Sequence, residues 1–323
     1  MFGNLFKQKK RKAPSRPSGF VRFFNHEILP WLRLLHLPRI FTSIGEPLAG
    51  ACLAAVMAET ELSFWTLLDV CFCSIAINAF GMIQNDWCDQ AADRRLHPDR
   101  PLPQRQIPIL AAAAVALACI LVALCLAAIS GHRVFLVAVT QLILICAYNF
   151  TIKKTLVGGA VGMGICRALN VMLGASLVVI SPAIFILMLS VGIYAAVLMT
   201  FRGYDSMGLR QVPGKAVFMP AGVMLLGWLA TLPWTAARGA FLAPFVCIVV
   251  SVGVAVYLAI RIYGKAVGRD AIKRFIVLLF LNMIPYQAAW ITMPRASNWL
   301  VVFVCFAIFW LASYYLNRIT SDN

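Results

Sequence analysis

Residues 77–108 read INAFGMIQNDWCDQAADRRLHPDRPLPQRQIP. The part before Asn85 completes an apolar run that starts near residue 62. A run of this kind can cross a bilayer as a helix, which takes about 20 residues. From Asn85 onward the character changes. Four of the chain's twelve acidic residues, Asp86, Asp89, Asp93 and Asp99, fall between positions 86 and 99. The same stretch carries Arg94, Arg95, Arg100 and Arg105.

Apolar runs of similar length recur on both sides of it. The 323 residues are 62% hydrophobic and 12% charged, whereas about a quarter of a soluble domain is charged. This composition excludes an ordinary soluble enzyme, a disordered chain, a disulfide-stapled scaffold and a coiled coil. Unbroken apolar runs exclude a membrane β-barrel, whose strands alternate with period two. The chain is expected to be an all-α polytopic membrane protein. Ten spans are predicted, at about 40–58, 62–84, 107–131, 134–152, 155–180, 182–201, 216–237, 239–260, 275–294 and 296–317.

Charge orients the spans. The net charge is +16, from 28 basic and 12 acidic residues. With the N-terminus in the cytoplasm, 24 of the 28 basic residues lie in cytoplasmic segments and only Arg133, Arg238 and Arg295 in outer turns. Cytoplasmic loops hold such an excess, so the basic residues report topology and anionic lipid, not nucleic acid. A bacterial inner membrane is the expected location, with an organelle membrane left open because no acid precedes Glu27. Residues 1–39 read as a basic arm and an interfacial amphipathic segment, and 40–323 as one transmembrane domain. The ten cysteines lie mostly inside apolar runs, with no spacing that suggests a zinc site or a disulfide framework.

The outer connections are short and the elaborate loops all cytoplasmic, so chemistry is expected at that face. Asp86, Asp89 and Asp93 are three and four residues apart and share one helix face, with Asn85 beside them. Like charges so placed are tolerated when a hard cation bridges them. Mg²⁺ takes carboxylate oxygens together with substrate phosphate oxygens. Arg94, Arg95 and Arg100 beside the stripe suit a diphosphate. Within the spans, Glu46 precedes Pro47 and should face a cavity, and Arg167 shares a face with Asn170. Gly158, Gly159, Gly162 and Gly164 read as close helix packing.

The run Asn85-Asp86-x-x-Asp89-x-x-x-Asp93, followed by Arg-Pro-Leu-Pro at 100–103, resembles the first signature of the UbiA superfamily of intramembrane prenyltransferases. Leu37-Pro38, Phe41-Thr42, Tyr148 with Lys153 and Lys154, and Arg167-Ala-Leu-Asn170 with Gly174 are similar as well. The resemblance implies a bundle of nine or ten transmembrane helices around a central cavity open to the cytoplasmic side. It implies Mg²⁺-dependent transfer of an isoprenyl chain from a prenyl diphosphate to an aromatic or other acceptor in the bilayer. The implied metal ligands are Asp86, Asp89, Asp93 and Asp205, with Asn85 among the catalytic residues. Arg94, Arg100, Tyr148, Lys153, Lys154, Arg167, Asn170 and Arg202 are assigned to the donor, and Glu46 to the acceptor side. The family's second motif, Asp-x-x-x-Asp, is incomplete here: Asp205 fits, but its partner position is Leu209. That departure supports a competing reading, a protein of the same fold that binds or carries a lipid or metabolite without prenyl transfer. An unrelated transporter fits the even span count, but transporters place polar groups at the midplane, and here they crowd at one face.

Overall fold

The structure, a computed structural model, describes residues 23–206, 214–264, 269–294 and 311. A short helical turn, Phe24–Ile28, leads into α1 (Leu29–Leu34). There follow α2 (Leu37–Ala58), α3 (Phe64–Leu96), α4 (Ile109–Ser130), α5 (His132–Phe150), α6 (Leu156–Ala175), α7 (Pro182–Ser206), α8 (Met219–Thr235), α9 (Leu242–Ile262), α10 (Arg269–Leu281) and α11 (Met283–Ile291). Eight helical stretches are long and apolar enough to cross a membrane, the last being Ala271–Ile291, formed by α10 and α11 together. The apolar part of α2, Thr42–Ala58, is a shorter ninth. These correspond to the first nine expected spans. The expected tenth, 296–317, and most of the basic arm lie outside the described residues.

Helix α3 departs from the expected span 62–84. It runs for 33 residues, about 50 Å at 1.5 Å per residue, against a hydrocarbon core of about 30 Å. Loss of hydropathy marks the end of the membrane, not the end of the helix. Residues 85–96 contain no Gly or Pro, and the helix stops at His97, just before Pro98. Ser63 starts it, accepting a hydrogen bond from the Thr66 N–H at 3.3 Å. The carboxylates therefore stand on a rigid extension of a spanning helix.

Helix α6 divides two cores. One joins α2 with α7 to α11, and α6 gives it Val171 and Ala175. The other joins α3, α4 and α5, and α6 gives it Leu173. Lipid tails are as apolar as leucine, so helices in a bilayer associate through close packing of small residues. Here α2 and α6 cross backbone to backbone: a Cβ on Gly174 would overlap the Pro47 carbonyl, and one on Gly50 the Val171 carbonyl. A Cβ on Gly164 would lie 2.6 Å from the Gly192 carbonyl oxygen of α7. Gly162 leaves a notch filled by the Tyr148 ring.

Candidate functional site

The end of α3 gathers cations from three other segments. After His97 the chain makes a series of turns, with Arg100 N–H bonded to the His97 carbonyl at 3.1 Å and Gln104 N–H to the Arg100 carbonyl at 3.1 Å. Leu102 and Ile107 are buried and pack with Leu34 of α1, Ile83 of α3 and Ala112 of α4. That anchoring folds the loop back over α3. Arg100 Nη1 thereby comes 2.5 Å from Asp93 Oδ2 and 3.5 Å from Asp86 Oδ1. Asp86 and Asp93 are buried.

A second cation comes from the linker between α5 and α6. Lys153 Nζ lies 2.7 Å from Asp89 Oδ1 and donates to Asn85 Oδ1 at 3.0 Å. The third comes from the corner between α1 and α2. His36 adopts a left-handed backbone (φ 44°, ψ 47°), and its Nε2 lies 3.5 Å from Asp86 Oδ1. Arg202, half-buried near the end of α7, lies within electrostatic range of Arg100, Asp86, Asp89 and Tyr148.

The structure sorts neighbouring residues that the sequence left equivalent. Arg94 and Lys154 are exposed, whereas Arg100 and Lys153 face the carboxylates. Tyr148 is buried in the Gly162 notch. Asp205 lies in the last turn of α7; its side chain, like Leu209, lies outside the described residues. Among the described residues, no three His, Cys, Asp or Glu side chains converge to hold one metal ion.

Glu46, Arg167 and Asn170 form a separate, deeper cluster. Arg167 Nη1 donates to Glu46 Oε1 at 2.6 Å, and its Nη2 to Thr42 Oγ1 at 3.2 Å. Asn170 Nδ2 donates to Glu46 Oε2 at 2.7 Å. The arginine assigned to diphosphate from sequence is thus held by an acid 121 residues away. The helix rise puts the level of Glu46 about 15 Å below His36. Arg167 and Glu46 form a buried ion pair in the bundle.

Sequence reasoning missed several participants. His36 had no local signal. Ser74, Gln84, Gln141, Asn149 and Gln287 are buried polar residues inside spans. Asn149 Nδ2 donates to Gln84 Oε1 at 2.9 Å and ties α5 to α3 beneath the carboxylates. Ser74, Asn78, Asn85 and Asp89 follow one another at intervals of four, seven and four residues. That helical spacing forms one polar stripe along α3 and could have flagged Ser74. Arg33 on α1, three residues before His36, buries Nε and Nη2 with no hydrogen-bond partner among the described residues.

A helical membrane bundle with cation-paired carboxylates on an extended second span defines the class: an integral membrane protein with a polar site at one end. The model of the UbiA prenyltransferase family matches residues 47–284. The chain belongs to that family and is a membrane prenyltransferase. Among solved structures, it is similar to one concerning digeranylgeranylglyceryl phosphate synthase in membranes, with 18% identity, 81% of this chain and 96% of that chain covered, and a TM-score of 0.58. It is also similar to a UbiA homologue from Archaeoglobus fulgidus bound to GPP and Mg²⁺, with 17% identity, 91% and 100% coverage and a TM-score of 0.47. The same homologue bound to DMAPP and Mg²⁺ gives 16% identity, 90% and 99% coverage and a TM-score of 0.47. At such identities the first of these likenesses is one of fold. No curated protein matches the chain by sequence.

Proposed function

We propose that this protein transfers an isoprenyl chain from a prenyl diphosphate to an aromatic or other small or lipidic acceptor, releasing diphosphate, in a Mg²⁺-dependent reaction at the cytoplasmic face of a membrane. Residues 1–39 serve as a basic arm and interfacial segment, and 40–323 form one catalytic transmembrane domain. The observation that carries the reading is the set of carboxylates Asp86, Asp89 and Asp93 on one helix, each within 3.5 Å of a cationic or ionisable side chain from another segment.

The donor set fits Mg²⁺. It consists of hard oxygens on one face, and it does not close a cage. Mg²⁺ keeps several positions for water and substrate phosphate and uses only one or two carboxylates per ion. Asp86, Asp89, Asp93 and Asp205 are the residues that would hold it, with Asn85 alongside. When bound, the ion supplies neutralisation of charge on the departing diphosphate. The chain's own cations do the rest. Arg100 and Lys153, held ready by the carboxylates, turn to the diphosphate oxygens as it binds, and Arg202 faces them from α7. The buried Nε and Nη2 of Arg33, which have no hydrogen-bond partner among the described residues, favour an anion at this end. Fixed positive groups at the point where negative charge develops lower a barrier by several kcal/mol. The apolar bundle excludes water from the allylic cation.

Incubation of the purified protein with geranylgeranyl diphosphate and candidate acceptors, with and without Mg²⁺, tests this. Mg²⁺-dependent diphosphate release that is lost in Asp86→Ala supports the transferase. Failure to bind any prenyl diphosphate would sink it. Leu209 keeps a second reading in play, a carrier of the same fold, for which Mg²⁺-dependent binding without release under every acceptor is the expected result.

A further inference from the structure

The buried cluster around Glu46 sits where helix α2 lacks a backbone hydrogen bond. In an α-helix the carbonyl of residue 43 accepts from the N–H of residue 47. Position 47 is proline, which has no N–H and whose ring pushes against that carbonyl. Within a membrane a freed carbonyl must find another donor. It finds one on a neighbouring helix. Asn170 Nδ2 of α6 donates to the Ser43 carbonyl at 2.8 Å, and Ser74 Oγ of α3 approaches it at 3.4 Å. Gln287 Nε2 of α11 donates to the adjacent Thr42 carbonyl at 3.1 Å. Ser74 Oγ also donates to Asn170 Oδ1 at 2.8 Å, which fixes the amide orientation.

Helix α2 runs on through Pro47, from Leu37 to Ala58, without the bond that an N–H at that position would give. From Pro47 onward, Gly50 and the Pro47 carbonyl are pressed against α6. Before Pro47, an arm of about ten residues, about 15 Å long, ends at His36, whose Nε2 lies 3.5 Å from Asp86. Without a bond from position 47 to the Ser43 carbonyl, side chains of neighbouring helices help to hold this turn and with it the direction of the arm. Asn170 is central, because its one amide nitrogen holds both the Ser43 carbonyl and Glu46 Oε2.

We propose that Asn170 is a positioning residue: it takes the carbonyl that Pro47 leaves free and so aims the first part of α2, with His36 at its tip, at Asp86. Asn170 acts through α2 and does not touch the donor. The effect on donor binding rests on the transferase reading; the coupling between Asn170 and Pro47 does not.

A double-mutant cycle on the full-length protein separates the two. Asn170→Ala, Pro47→Ala and the double variant are compared by thermal unfolding and by donor KM and kcat. Alanine at 47 restores the N–H that the Ser43 carbonyl lacks. In the wild-type background, Asn170→Ala is expected to lower the unfolding midpoint by about 5 °C, as for one buried carbonyl left without a donor. Donor KM should rise about tenfold, which is about one hydrogen bond's worth of binding, with a smaller change in kcat. In the Pro47→Ala background both effects should shrink to less than half. Equal effects in the two backgrounds would overturn the proposal. If Asn170→Ala does not accumulate, the same cycle run with Ser74→Ala decides it in the same way. A wild type that turns over no prenyl diphosphate removes the transferase reading, and the unfolding midpoints still decide the coupling.

Discussion

Lys153 and Asp89 form an ion pair at 2.7 Å between the linker after α5 and the end of α3. Both are partly buried, with side-chain exposures of 14% and 34%. Lys154, the next residue, is exposed. The short helical turn Ile152–Lys154 rotates one lysine inward and the other out. Lys153→Met is therefore expected to lower kcat/KM by about 100-fold, the scale for loss of one charge-stabilising group. Lys154→Met should change it by less than about threefold, as for an exposed charge. Steady-state diphosphate release measures both, and equal losses would contradict the geometry.

Arg100 and Arg94 make a similar contrast. Arg100 reaches both Asp86 and Asp93, whereas Arg94 is exposed at the helix end. Arg100→Gln should weaken binding of a prenyl diphosphate by about tenfold or more, since it also leaves two buried carboxylates short of a partner. Arg94→Gln should have a much smaller effect. Titration of each variant with donor in the presence of Mg²⁺ gives the comparison.

The pair between Glu46 and Arg167 predicts non-additivity. Removing one partner of a buried pair leaves an uncompensated charge and destabilises by about 3–5 kcal/mol, whereas removing both is much milder. Glu46→Gln and Arg167→Met should each lower the unfolding midpoint more than the double variant does. A double variant that shows the sum of the two losses would argue against pairing.

Close helix crossing predicts which glycines matter. Gly174→Ala would drive a Cβ into the Pro47 carbonyl, and backbone cannot yield as a flexible side chain can. A loss of about 3 kcal/mol or a failure to accumulate is expected. Gly253 on α9 is the contrast, because a Cβ there would meet nothing within 4 Å. It should accept alanine with a gain of up to about 1 kcal/mol from helix propensity. Thermal stability in detergent distinguishes the two.

The incomplete second motif offers a gain-of-function test. Leu209→Asp restores the Asp-x-x-x-Asp spacing from Asp205. Another carboxylate should lower the Mg²⁺ concentration for half-maximal activity several-fold, because affinity for a hard cation rises with ligand charge. An unchanged Mg²⁺ dependence would place position 209 outside the metal site.

By itself the sequence determined the elements and the stripe. Apolar runs of membrane length specify helices because every backbone polar group in lipid must be satisfied within its own segment. The spacing of Asp86, Asp89 and Asp93 specifies one face because helical period is a local property. Even the continuation of α3 to Leu96 was legible in the absence of Gly and Pro before Pro98. The tertiary structure decided which cations meet that face. Lys153 rather than Lys154, Arg100 rather than Arg94, and His36 at the tip of α2 all follow a turn or loop, where helical phase is lost and burial of residues such as Leu102 sets direction. It also paired Glu46 with Arg167 across 121 residues. In sequence each is a lone charge in an apolar span; only the crossing of α2 and α6 at Pro47 and Gly174 brings them together, because the absence of a Cβ there lets the two backbones touch.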